Sequence, residues 1–491
     1  MGDKVITFGN IYVAPFEFIN LQSLKVVKKM NDHVRLTITG MIPEEHKDSY
    51  VHMADSGTYM RVSLADESGK PKYWFQGIVI RANVTSVRGI YYLAVDAISH
   101  TYLLDIKPKK RSFQNPQMSF AGLIRSVLSG YSKADFIDSS TQSRKLGTFF
   151  MQYEETDWQF LKRMASHFYT GLVPAAAFTH PKFYFGLPQG QNKGKLEASH
   201  YTVQKRAGEY QRALENRLPG VTDQDFVVYE VESNRVLEIG NEVIFQSRSL
   251  VVGEAVTELK NGVLTHTYKL FPRRGLQCKK IYNHKIIGAS IQGRVIEVKK
   301  DTVRAKLDMD DQQDQSTAHW FPYSTIYASD NNTGWYVMPE VNDQIRIYFP
   351  SKKEADGIAI SSVLKESPET KLPPKASSSS PGEGVSHLGT EQSDPMADPS
   401  TKRFRTKYGK EILLAKDKIV ISSQDMSITI SDEHGIDIIS SKNINITAAK
   451  DILMSSQNIR IQAGKVELSG NDNTITLENT VEMKGAEVKM N

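Results

Sequence analysis

Apolar and polar residues alternate along most of the first hundred positions. "HVRLTITGMI" (33–42) keeps this period of two, and "YWFQGIVIRANVTSVRGIYYLAVDAIS" (73–99) reads as two long strands around a turn at Arg88-Gly89. Beyond residue 110 the period changes. "SFAGLIRSVLSGY" puts Phe120, Leu123, Ile124, Val127 and Leu128 on one helical face. In "YEETDWQFLKRMASHFYTGLVP", Thr156 and Gln159 form a capping-box pattern. Trp158, Leu161, Met164, Ala165 and Phe168 follow at helical spacing, with Gly171 and Pro174 as stop signals. Strands resume to about residue 285. Residues 286–364 then hold short strands in "ASIQGRVIEVKK", "TVRAKLDM", "GWYVMP" and "DQIRIYFP", a spacing that predicts an OB-type barrel. Residues 365–402 are rich in Pro, Ser and Gly and read as a linker or exposed loop.

The tail has its own rhythm. Apolar pairs at i, i+2 begin near Ile412, Ile419, Ile428, Ile436, Ile444, Ile452, Ile459, Val466, Ile475, Val481 and Val488, six to nine residues apart. Alternation within a unit predicts a strand, and repetition at a near-fixed spacing predicts an elongated stack. A unit this short supplies one side of a coil, so three chains wound about one axis are expected, with a single-chain solenoid or a loosely ordered tail as alternatives. One layer of ~4.8 Å per strand would make a rod about 50 Å long. The residues expected to fill its core are Ile428, Ile430, Ile436, Ile438, Ile444, Ile446, Ile452, Met454, Ile459, Ile461, Val466 and Leu468.

Charge and chemistry narrow the function. A net charge of +5 over 491 residues gives no strong attraction to nucleic acid or anionic membrane. One cysteine, Cys278, excludes an internal disulfide framework. The start, "MGDKVITFGNIYV", lacks a signal-peptide pattern, and no apolar run is long enough for a membrane helix. The histidines are scattered without metal-ligand spacing, and neither a nucleophile elbow nor a phosphate loop is found. Glu154, Glu155 and Asp157 could be acid–base carboxylates but fit better as acids at a helix start. "KPKKRSF", with Lys107, Lys109, Lys110 and Arg111, reads as a solvated linker between domains. Trp320, Phe321, Tyr323, Trp335 and Tyr336 could stack bases but fit better as barrel packing. No cofactor, metal or catalytic residue is expected.

This order of parts resembles the VgrG family, the spike proteins of type VI secretion and other contractile injection systems, which are similar to fused hub and spike proteins of phage tails. Three segments carry the resemblance: the 151–174 segment quoted above, "PEVNDQIRIYFP" with Asn342 where the family has Gly, and "KYGKEILLAKDKIVISSQDMSITIS" at the start of the tail. It implies a mainly β fold with minor α. The expected parts are a hub β-barrel (1–110), a helical segment with a second barrel (111–285), an OB-fold (286–364), a linker (365–402) and a trimeric β-helix needle (403–491). It further implies a homotrimer made in the bacterial cytoplasm, assembled at the tip of the tube and expelled on contraction to puncture a membrane. The implied partners are a hexameric tube protein, baseplate proteins, effector cargo and a PAAR-type tip protein at Val488, Met490 and Asn491, with no nucleic acid. Neither an inserted lysozyme nor a fused effector is expected within these residues. The rival readings are an oligonucleotide-binding protein with a solenoid tail and a cell-wall hydrolase on a spike scaffold.

Overall fold

The computed structural model describes residues 6–361 and 401–477, apart from 54–56, 66–68, 199, 326–327, 330–332, 335–336, 407 and 471–472. They fall into two compact units, Met1–Thr370 and Lys371–Asn491.

A twelve-stranded sheet organises the first unit. Its order runs Ile11–Ala14, Tyr59–Ala65, Pro71–Val87, Ile90–Ser99, Arg35–Ile42, Asn20–Lys29, Arg248–Lys260, Val263–Phe271, Val227–Ser233, Tyr201–Lys205. Glu242–Phe245 pairs with Arg248–Lys260 and carries Asn192–Lys195 on its other edge. The alternation in 33–42 is real: Leu36, Ile38 and Ile42 point into the core beside Leu24, Val26, Leu93 and Val95. The turn at Arg88-Gly89 has φ of 55° and 80°, the conformation of a two-residue hairpin loop that matches strand twist. Residues 6–8 bond back to the far side of the sheet (Leu264 N–H to Ile6 O 2.8 Å, Phe8 N–H to Gly262 O 3.2 Å), closing a first barrel. A second core gathers Val231, Leu250, Val252, Tyr268 and Leu270. The two cores thus share one sheet: strand Asn20–Lys29 pairs antiparallel with Arg248–Lys260, Val27 opposite Val256.

Two helices sit in an insertion between the halves of this sheet. Phe120–Leu128 is capped by Ser119 Oγ, which accepts from Gly122 N at 3.0 Å. Asp157–Ser166 begins with the expected box: Gln159 N donates to Thr156 Oγ1 at 3.1 Å, and Thr156 N donates to Gln159 Oε1 at 3.2 Å. Their apolar faces meet around Leu123, Ile124, Trp158, Leu161 and Met164. Strand Phe150–Glu155 leaves this cluster and serves two cores at once. Phe150 packs among the helices, while Phe149 and Met151, one position away on either side, enter the core of the following barrel.

That barrel has five antiparallel strands in the order Trp320–Pro322, Thr302–Leu307, Ser290–Lys299, Gln344–Tyr348, Ile358–Ser361. Ser324 N–H to Ala359 O, 2.8 Å, closes it. Val295, Val303, Phe321, Ile345 and Phe349 fill the interior. Asn342 has φ 78°, so the turn into Gln344–Tyr348 uses the left-handed conformation that Asn tolerates in place of Gly.

In the second unit, Lys402–Arg405, Lys410–Leu414, Lys418–Ser423, Met426–Ser431 and Gly435–Ser440 form an antiparallel meander. Residues 441–465 form no strand with their own chain, and Val466–Gly470 pairs with Asn473–Leu477 as a hairpin.

Burial holds several hub histidines neutral. Desolvation pushes His167 and His266 down to about 4, with Arg163 adding to the effect at His167 and Lys28 at His266. Neither Nε2 has a partner among the described residues. A histidine depressed in the native state binds its proton more readily when unfolded. Its stabilising contribution is therefore complete above pH 6.5 and is lost as pH falls toward 4. Each shift corresponds to on the order of 3 kcal/mol at most. Melting temperature followed from pH 7 to pH 4 should fall through this window, and His266→Gln should flatten the fall. An equally steep profile in the variant would contradict the assignment.

Candidate assembly surfaces and buried ion pairs

The tail residues form a surface before they form anything else. Cross-strand register aligns Phe404, Ile412, Ile421, Ile428 and Ile438 in one row, and Leu414, Ile419, Ile430 and Ile436 in a second. Residues directly opposite in an antiparallel pair share a face, so all nine side chains lie on one side of the meander. They are 40–67% exposed, far from core values. The sequence reading named four of them, Ile428, Ile430, Ile436 and Ile438. Ile412 with Leu414 and Ile419 with Ile421 carry the same i, i+2 signal, and Phe404, which does not, joins the surface through its register with Ile412. The first four units do not step away after one strand; reversals such as that at Gln424, φ 50°, return the chain beside itself.

Ile444, Ile446, Ile452, Met454, Ile459 and Ile461 lie in the stretch without in-chain strand pairing and are 52–67% exposed. Val466 and Leu468 sit in the final hairpin, with Leu468 54% exposed. Val488, Met490 and Asn491 lie outside the described residues.

The acidic residues at the second helix are structural in a different way from the one expected. Asp157 is fully buried. It accepts from Lys109 Nζ (2.6 Å), Tyr131 Oη (2.6 Å), Gln152 Nε2 (3.0 Å) and Arg111. Lys109 and Arg111 therefore belong to strand Lys109–Phe113 and its ion pairs, not to a solvated linker, and Lys110 pairs with Glu154 at 3.0 Å. Glu155 meets Arg163, whose guanidinium is 1% exposed and also bonds Glu354 and the Met151 carbonyl (2.6 Å). Burial works against the Arg163 charge, but Glu354 and Glu155 outweigh it and raise its pKa. Burial raises the Glu155 pKa against the pull of Arg163.

His33 Nδ1 lies 2.9 Å from Thr101 Oγ1, and its Nε2 lies 3.3 Å from Asp105, spacings that a nucleophile, base and orienting acid would have. Thr101 is 1% exposed and shares its hydroxyl with Ser99, so no substrate reaches it. The relay pins strand to helix through Asp105 and Thr156. Among the described residues no cluster of three metal-ligating side chains occurs. In the barrel, Phe321 is core, Trp320 is covered by Arg304 (4.4 Å to the ring centroid) and Tyr323 is partly buried; Trp335 and Tyr336 lie outside the described residues.

Comparison with known proteins places this geometry. Residues 291–363 match the type VI secretion system/phage-baseplate injector OB domain. The E. coli c3393 protein, a component of the type VI secretion system similar to bacteriophage T4 tail proteins gp27 and gp5, superposes with a TM-score of 0.51 at 14% identity, covering 71% of this chain and 98% of its own. A chain of the half-lidded Francisella PdpA–VgrG complex gives 0.52 at 11% identity, covering 88% and 87%. The lidded form of that complex gives 0.53 at 10% identity, covering 88% and 80%. The chain has the fold of a VgrG-like spike. No curated protein matches it in sequence.

Within this spike fold, Arg163 is the tie between hub helix and OB barrel. Arg163→Ala would leave Glu155 and Glu354 buried and unpaired, so urea denaturation should show a loss of about 3–5 kcal/mol. A loss below about 1 kcal/mol would mean that the carboxylates find other partners.

Proposed function

We propose that this chain is the spike of a contractile injection apparatus and works as a homotrimer. The observation that carries the reading is the tail. Nine apolar side chains stand uncovered on one face of the meander, and a following run of Ile pairs lacks strand pairing within its own chain. A contiguous apolar surface on this scale needs a partner surface, and backbone groups withdrawn from water need hydrogen bonds. Two further copies supply both. Three meander faces turned inward enclose a common core, and the 441–465 segments bond to one another. The resulting needle would be stiff because its ladders run without interruption and its core is branched aliphatic.

In this reading the hub docks on the hexameric tube protein and baseplate proteins. The OB barrels form a collar, and sheath contraction drives the needle into a membrane together with any cargo. A PAAR-type tip protein would cap the end at Val488, Met490 and Asn491. The role is mechanical, and no reaction is assigned to the chain. Because the buried ion pairs of Asp157 and Arg163 tie the helical region together and to the OB barrel, these regions suit a part that must transmit load without rearranging.

Light scattering on the full-length protein should give the mass of three chains; a monomer at micromolar concentration contradicts the proposal. Ile444→Asp with Ile446→Asp places carboxylates in the shared core and should cost on the order of several kcal/mol per trimer. The expected readouts are a lower melting temperature and loss of trimer. An unchanged trimer of unchanged stability would contradict the packing described.

A further inference from the structure

The outer face of the OB barrel carries a charge arrangement that the fold does not need. On neighbouring strands Arg294 lies directly opposite Lys306, and on its other side opposite Gln344. Two residues along that strand, Arg346 stands opposite Gln292 and, beyond it, Ile360. These cations point away from the core, since Gly293, Val295, Ala305, Leu307, Ile345 and Ile347 alternate with them inward. Like charges directly opposite on antiparallel strands repel and destabilise the sheet.

The same sheet shows what a neutralised cation looks like. Arg304, two positions before Lys306, bonds Glu297 at 2.7 Å and lies over the Trp320 ring. Arg294, Lys306 and Arg346 have no ion pair among the described residues; Arg294 reaches only the Asn342 carbonyl, at 3.3 Å. Lys306 feels the Asp310 carboxylate electrostatically, but that carboxylate is bonded to Ser112 and makes no ion pair with Lys306. Repulsion of this kind is relieved by an anionic surface laid across the strands.

We infer that the outer face of the OB barrel, at Arg294, Lys306 and Arg346, docks an acidic segment of a partner protein. A nucleic acid strand fits less well. Base stacking needs open aromatic faces; among the described residues of the barrel Trp320 is already covered by Arg304 and Tyr348 is 39% exposed. The inference uses the barrel of a single chain and stands apart from the trimeric needle.

The test uses the full-length protein and a triple variant, Arg294→Gln, Lys306→Gln and Arg346→Gln. A control replaces the exposed Lys29, Lys107 and Lys133, which lie outside the barrel, by Gln. Binding of a fluorescent peptide of alternating Glu and Ser is measured at low and physiological salt, beside a single-stranded oligothymidylate of equal charge. The expected result is peptide binding that weakens with salt, falls about tenfold in the triple variant and is unchanged in the control. No peptide binding, or equal binding by wild type and triple variant, overturns the inference. Tighter oligothymidylate binding that the triple variant loses overturns it in favour of a nucleic acid site. Light scattering run in parallel separates a last outcome: a triple variant of altered mass makes this face a contact between copies and also overturns the docking assignment.

Discussion

The buried guanidinium of Arg163 holds together parts that the chain makes far apart. It stands on the second hub helix and bonds Glu155 at that helix's approach, the Met151 carbonyl of the preceding strand and Glu354 of the OB barrel. The strand beneath it divides its side chains between two cores, Phe150 to the helices and Phe149 with Met151 to the barrel. Apolar packing alone would let these cores slide past each other. A buried charge satisfied from both sides fixes their register, since any displacement leaves a carboxylate unpaired in a medium that penalises it heavily. The hub and barrel are joined by chemistry that tolerates one arrangement.

The tail obeys the opposite logic. Its first five strands satisfy their own ladders but leave every large side chain of one face in water. Hydrogen bonding is thus solved within the chain and hydrophobic burial is not. The two requirements normally close together in a globular domain. In the proposed trimer their separation would make the second unit a component, its apolar face covered by the other copies.

Much of this was legible in local sequence. The capping box at Thr156 and Gln159, the hairpin at Arg88-Gly89, the turn at Asn342 and the barrel strands Ser290–Lys299, Thr302–Leu307 and Gln344–Tyr348 follow from neighbours within a few positions, whereas "GWYVMP" supplies no barrel strand among the described residues and Trp320–Pro322 and Ile358–Ser361 were not anticipated. The i, i+2 pairs marked the first tail units as strands, while the pairs from Ile444 to Ile461 form no strand within the chain. What could not be read depends on distant partners. Glu354 lies 191 positions from Arg163, and nothing in its surroundings marks it as half of a buried pair. "KPKKRSF" looked solvated because charge composition is silent about Asp157, which arrives from another element and takes both Lys109 and Arg111 out of water. The basic character of the barrel face was equally hidden, since Arg294, Lys306 and Arg346 become neighbours only through strand register. The seam between the hub halves was missed for the same reason. Periodicity announces a strand and not the strand it pairs with.

That seam sets a timetable. Strand Asn20–Lys29 finds its outer partner only when Arg248–Lys260 has been made, and residues 6–8 close the first barrel only against 262–264. At roughly 5–20 residues per second, the early strands leave the ribosome some tens of seconds before the segment that completes their sheet. During that interval Asn20–Lys29 presents an open edge with Leu24 and Val26 beside it, a template on which other nascent copies can pair. In the proposed trimer, three chains that must meet in register would have reason to be kept apart while each is still unfinished.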